Sequence, residues 1–192
     1  MPADHSNGYD AAADEFTEAR SPVIGVEAVS SWLASLTAGG SILDIGAGNG
    51  APLTSTIVNA GFDVYAIEAS EALVAEFRRR LPGVTIACEP AETSALFDRM
   101  FDGILAVGLV FLLPESDQRA LIEKAANALR PGGGLLFSAP IETGTWDDIL
   151  TGLPSTSLGE EAYRTVMSAC GLRPVKTCLD EGGTNYYTAL KR

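Results

Sequence analysis

Residues 41–50 read SILDIGAGNG. Five residues patterned as a buried strand carry one acid, Asp44, and run straight into glycines at 46, 48 and 50. A residue without a Cβ lets the backbone come close to whatever lies above it. A dinucleotide-binding turn shows G-x-G-x-x-G. Here the last glycine comes one residue early, and Asp44 stands two positions before the first. The glycines alone fit a tight strand-to-helix turn equally well, so the rest of the chain decides.

Downstream, strand and helix patterns alternate. Pro52 opens a helix that Gly61 closes, and DVYAIE (63–68) is a second strand. Ser70 caps a helix running to Leu81, where Pro82-Gly83 stops it. VTIAC (84–88) and FDGILAV (101–107) are the third and fourth strands. A helix over 116–129 carries Leu121, Ile122, Ala125, Ala126 and Leu129 at helical spacing. RPGGG (130–134) reads as a turn and LLFSAP (135–140) as the fifth strand. Strands joined by helical crossovers imply an α/β fold with a doubly wound parallel sheet. Ligands of such sheets bind at the carboxyl ends of the strands, which is where the glycine turn falls.

The ends of the chain differ. Residues 1–8 are expected to be a disordered leader and 9–192 one domain, with 9–40 forming an N-terminal helical lid. Tyr9–Arg20 reads as a helix, and Ser21-Pro22 as the cap and first residue of a second. Residues 141–157 read as a long loop carrying Trp146. Ser157-Leu158-Gly159-Glu160 fits a capping box. RPVKTCL and NYYTALK flank DEGGT as a hairpin, which predicts an antiparallel edge strand.

Composition narrows the partners. The formal net charge is −12, which repels phosphate backbones and anionic lipid, so neither nucleic acid nor a membrane surface is expected. The basic run Arg78-Arg79-Arg80 ends a predicted helix and complements its dipole. Three cysteines without metal-ligand spacing and a single His5 in a polar leader predict no metal site. The leader does not resemble a signal peptide, and the expected setting is reducing and cytoplasmic.

Glu68 closes the second strand, 22 residues after Gly46. A carboxylate there can accept both ribose hydroxyls of a nucleoside. LDIGAGNG, the strand-end acid in AIEAS and LRPGGGLLF together resemble the class I S-adenosylmethionine-dependent methyltransferases, over about residues 9–191. The resemblance implies a Rossmann-like sheet of seven strands with the last antiparallel. It also implies S-adenosyl-L-methionine as cofactor, leaving as S-adenosyl-L-homocysteine. The implied cofactor residues are Asp44, Gly46, Ala47, Gly48, Gly50, Glu68, Ala69, Ala91, Glu92 and Val107. Asp44 suits the ammonium, the backbone N–H groups of the following helix suit the carboxylate, and Glu68 suits the ribose. Family members often carry Asp where this chain has Pro90, which leaves the adenine amine without that acceptor.

AVGLVFLLPE (106–115) lacks the Asn/Asp-Pro-Pro-aromatic signature that suits nucleic-acid bases in the family. Leu109 and Phe111 instead predict an apolar wall for a small acceptor, with Tyr9, Phe16, Arg20 and Trp146 as further pocket candidates. Glu142, Asp147, Asp148 and Tyr163 are candidate bases by position only, so no catalytic residue is assigned. Methyl transfer needs chiefly alignment, worth about 7–11 kcal/mol. Two other readings stand beside this one. A non-catalytic cofactor-binding module needs the same glycines and acids. An NAD-dependent oxidoreductase would use Tyr187-x-x-x-Lys191, but on a strand those residues lie about 13 Å apart. The sequence does not address the oligomeric state.

Overall fold

The computed structural model describes residues 5–192. Its centre is a seven-stranded sheet in which β1 (Ser41–Ile45), β2 (Asp63–Glu68), β3 (Thr85–Cys88), β4 (Phe101–Ala106) and β5 (Leu129–Ser138) run parallel. With β8 (Leu172–Leu179) and β9 (Asn185–Lys191), the order is β3-β2-β1-β4-β5-β9-β8. Strand order reverses on either side of β1, which places the crevice over the glycine turn.

Alternation along the strands builds the two core layers. Leu43, Ile45, Ile104, Leu135 and Phe137 point to the layer that includes helix α5 (Glu115–Ala128) and helix α6 (Glu160–Ala169). Ile42, Leu105 and Leu136 point to the layer of α2 (Val26–Leu33) and α3 (Leu53–Asn59). Asp44 shares its parity with Ile42, so its side chain goes into the α3 layer. There the Thr54 hydroxyl donates to its Oδ2 at 2.6 Å.

Helix α4 (Glu71–Arg80) follows β2, and the Ser70 hydroxyl accepts the Leu73 N–H at 3.1 Å as the predicted cap. Asp10 adds to this helix start, its Oδ1 accepting from the Ser70 hydroxyl and the Ala72 N–H. Arg78, Arg79 and Arg80 form its last turn.

Several elements depart from expectation. Helix α1 is shorter than expected, Ala13–Ala19. Helix α2 begins at Val26 rather than Pro22, because the Ser21 hydroxyl accepts from the N–H groups of Val23 and Ile24 in a turn and Gly25 takes the cap position. No capping box forms at 157–160. The Ser157 hydroxyl donates to the Pro140 carbonyl, and Glu160 pairs with Arg164 one turn along. Residues 130–134 are not a separate turn but the start of β5, where the pairing with β4 skips from Phe101–Leu129 to Gly103–Gly134. The long loop contains a two-stranded hairpin, β6 (Gly144–Asp147) with β7 (Pro154–Ser157).

The C-terminal hairpin forms as expected, but its antiparallel strand is not at the edge. Strand β9 sits between β5 and β8 and is antiparallel to both. Residues 1–4 of the expected leader lie outside the described residues. Over 5–8 the chain packs against the domain rather than being free of it, with Ser6 buried and the Asn7 amide donating to the Leu112 carbonyl.

Candidate functional site

A cavity of about 330 Å³ lies at the carboxyl ends of β1, β2, β4 and β5, roofed by the N-terminal segment. Its floor on the β1–β2 side is the glycine turn. Gly46 and Gly48 line the cavity with φ of +74° and +57°. A Cβ on Gly48 would stand 3.1 Å from the Phe16 ring, so the absence of a side chain lets that ring lie over the turn. Gly50 does different work. Its φ is +82°, and a Cβ there would fall 2.9 Å from Phe77 and Leu81. Gly50 is absent from the cavity wall and lets the turn pack on α4. Gly50→Ala is therefore expected to cost about 1–3 kcal/mol of stability through overpacking and the positive φ. Urea unfolding measures this, and an unchanged midpoint would contradict it.

Glu68 is 8% exposed at the end of β2. Its Oε2 accepts the Gly48 N–H at 2.8 Å and its Oε1 the Ser70 N–H at 2.9 Å. Burial raises its pKa, and the N–H groups of Ser70, Gly48 and Ala69 oppose that. The carboxylate thus ties the glycine turn to the start of α4 and keeps lone pairs on the cavity wall.

Asp44 is 4% exposed and lies behind the wall rather than in it. Burial raises its pKa to about 6, against the opposing effects of the Thr54 hydrogen bond and the Arg20 charge. Arg20 lines the cavity, donates from Nε to the Ala51 carbonyl at 3.3 Å and lies 5.5 Å over the Phe16 ring. It makes no ion pair among the described residues, and burial lowers its pKa.

Past β3, Ala91 and Glu92 line the cavity with Glu89. Lys124 holds this loop by donating to the carbonyls of Ala91, Glu92 and Ser94. Ala47, Ala69 and Val107 also line it. On the β4–β5 side the wall is apolar, with Leu109, Phe111, Leu112 and Leu150, and carries the hydroxyls of Ser138 and Thr184. The Ser138 hydroxyl accepts the Gly108 N–H at 2.8 Å and joins the ends of β4 and β5.

The structure brings Tyr9, Phe16, Arg20, Leu109 and Phe111 together at the cavity, but not Trp146. Trp146 is 37% exposed and backs Phe111, with ring centroids 5.6 Å apart. Among the positional base candidates, Tyr163 is in the core, donating to Gln118 Oε1. Glu142 and Asp147 are exposed and do not line the cavity. Asp148 is buried and accepts from the Tyr9 hydroxyl at 3.1 Å. Tyr187 and Lys191 both lie on β9 and bond to the carbonyls of Pro140 and Cys170, away from the cavity wall.

Sequence reasoning missed Tyr186, Ser138, Thr184 and His5, all of which line the cavity. The Tyr186 hydroxyl donates to Asp180 at 2.9 Å. Placing Tyr186 and Thr184 needs the β5–β9 pairing, which no local pattern carries. Among the described residues no cluster of His, Cys, Asp or Glu could hold a metal ion, and no helix is long and apolar enough to cross a membrane.

A doubly wound seven-stranded sheet with a glycine turn after β1 and a buried acid ending β2 is the architecture of α/β domains that take their ligand at the carboxyl ends of the strands. Residues 42–133, just under half of the chain, match the family model of the methyltransferase domain. Over 107 residues, 55% of this chain, it is 32% identical to an uncharacterized methyltransferase of Mycobacterium tuberculosis. That match spans 42% of the relative's own length. The fold is similar to that of the 1,6-didemethyltoxoflavin-N1-methyltransferase of Burkholderia thailandensis, solved with 1,6-didemethyltoxoflavin and S-adenosylhomocysteine. The TM-score is 0.75 at 19% identity, covering 100% of this chain and 91% of that one. The CcbJ methyltransferase of Streptomyces caelestis gives a TM-score of 0.75 at 16% identity, with 99% of both chains covered.

Proposed function

We propose that this protein transfers a methyl group from S-adenosyl-L-methionine to a small, largely apolar acceptor. The observation that carries the reading is Glu68, a buried carboxylate held over the glycine turn in the wall of a cavity that, among the described residues, is lined by a single permanent cation, Arg20. Such a wall accepts hydroxyl donors and repels a 2′-phosphate, which suits the free ribose of a nucleoside. Glu68 takes the ribose hydroxyls. Asp44 draws the cofactor ammonium toward the α3 layer, directly or through water, and the Gly46–Gly48 turn with Arg20 takes the carboxylate. Ala91 offers its N–H to the adenine ring.

Bound S-adenosylmethionine supplies a methyl on a sulfonium. The protein's contribution is alignment in a water-poor cavity. Leu109, Phe111, Leu112 and Leu150 shape the acceptor half, and Ser138 and Thr184 orient a polar group on it. The bound 1,6-didemethyltoxoflavin of the Burkholderia enzyme supports a small acceptor. The N-terminal segment as far as Ile24 acts as the lid, whereas α2, expected to belong to it, packs in the core layer under the sheet.

Calorimetric titration with S-adenosylhomocysteine, with NAD alongside, tests the reading. Micromolar binding of the former and none of the latter is expected. A preference for NAD, or no binding of either, overturns it.

A further inference from the structure

The N-terminal segment touches both halves of the cavity. Toward the β1–β2 side, the Phe16 ring lies over Gly48. Tyr9 packs edge-on against Phe16, with ring centroids 5.7 Å apart at 81°. Toward the β6–β7 hairpin, the Tyr9 hydroxyl donates to Asp148 Oδ2 at 3.1 Å, across 139 positions of sequence. Asp148 Oδ1 is fully used by its own loop, accepting from the N–H groups of Leu150 and Thr151 and the Thr151 hydroxyl. One carboxylate oxygen therefore shapes the hairpin tip and the other holds the phenol. A Cβ on Gly8 would stand 3.1 Å from Thr151, so the segment lies directly on that tip. Asp148 itself is buried and does not line the cavity, whereas Tyr9 and Leu150 do.

We infer that Asp148 is a positioning residue that acts through Tyr9 and Phe16 on the glycine turn. The hydrogen bond closes the roof over the cofactor end and joins it to the wall of the acceptor end. Breaking it loosens the roof at the hairpin tip while Asn7 and Asp10 still hold the segment on the Leu112 carbonyl and the start of α4, so the bound nucleoside leaves faster through this joint. The part concerning ligand release rests on the methyltransferase reading above. A hydrogen bond to a carboxylate is stronger than one between neutral groups, and the loss of either partner removes the same contact.

The test is a cycle of Tyr9→Phe, Asp148→Asn and the double variant, read as the dissociation rate of S-adenosylhomocysteine. Asparagine keeps an acceptor for Leu150 and Thr151 and turns its NH₂ to the phenol oxygen, replacing the charge-assisted hydrogen bond with a weaker neutral one of reversed direction. Each single variant is expected to speed release about tenfold, and the double variant no further, as a shared contact requires. A rate within twofold of the parent in either single variant, or factors that multiply in the double, overturns the inference.

Tyr9→Phe leaves the hairpin's own hydrogen bonds intact, so it separates positioning from folding. In the free protein it is expected to raise amide hydrogen exchange at Leu150 and Thr151. If the parent does not bind S-adenosylhomocysteine, the methyltransferase reading falls. The joint is then judged on that exchange alone, with faster exchange supporting it and unchanged exchange overturning it.

Discussion

Glu68→Gln is expected to weaken S-adenosylhomocysteine binding about 100-fold and to lower the stability of the free protein by about 1–3 kcal/mol. The substitution changes no volume. It converts one of two buried acceptor oxygens into a donor. In the parent those oxygens face the N–H groups of Gly48 and Ser70. Whichever way the amide lies, its NH₂ points at one of these donors, and a buried N–H loses its partner. If that donor is Gly48, the glycine turn shifts under the ligand. The ribose hydroxyls also lose an anionic acceptor, and hydrogen bonds to charged groups are worth about 1.5–3 kcal/mol. Calorimetry and urea unfolding on one preparation separate the two effects. An affinity change below fivefold would remove Glu68 from the cofactor site, whatever happened to stability.

The same residue marks where the sequence was readable. Gly46, Gly48 and Glu68 belong to one β-α-β unit, so local pattern places them in one crevice, while Asp44 and Gly50 of the same unit lie behind its wall. The strands from β1 to β4 and the Ser70 cap are local as well, and they are where expected. What failed depended on distant contacts. Ser21 and Ser157 carry cap chemistry, but their hydroxyls are used by a turn and by Pro140. Trp146 lies in the segment expected to pack over the acceptor, yet the hairpin register sets it behind Phe111. The insertion of β9 between β5 and β8 brings Tyr186 and Thr184 to the cavity, and strand order is a property of the whole sheet. The roof joint at Tyr9 and Asp148 could not be read at all, because its two residues are brought together only by tertiary structure.

Asp44→Asn is expected to stabilise the free protein while weakening its ligand. Burial holds the carboxyl at about 6, against an ordinary value of 3.8. The folded state therefore binds more protons than the unfolded state between those values. Stability is full below about pH 4 and falls as pH rises toward and through 6. At neutral pH the buried charge costs about 3 kcal/mol. Asparagine removes that cost and still offers an oxygen to the Thr54 hydroxyl. For a chain of this length, each kcal/mol moves the melting temperature about 2–4 °C, so a rise of about 6–12 °C is expected at pH 7. The parent's loss of stability between pH 4 and 6 should flatten in the variant. Binding runs the other way. An ammonium near Asp44 favours the ionised carboxylate, so binding near pH 6 releases a proton and affinity rises with pH through that range. The neutral variant loses this dependence and about tenfold in affinity, which calorimetry from pH 5 to 8 in buffers of different ionisation enthalpy measures. A variant that melts lower, or binding in the parent that ignores pH, would show that Asp44 is held for the fold and not for the ligand.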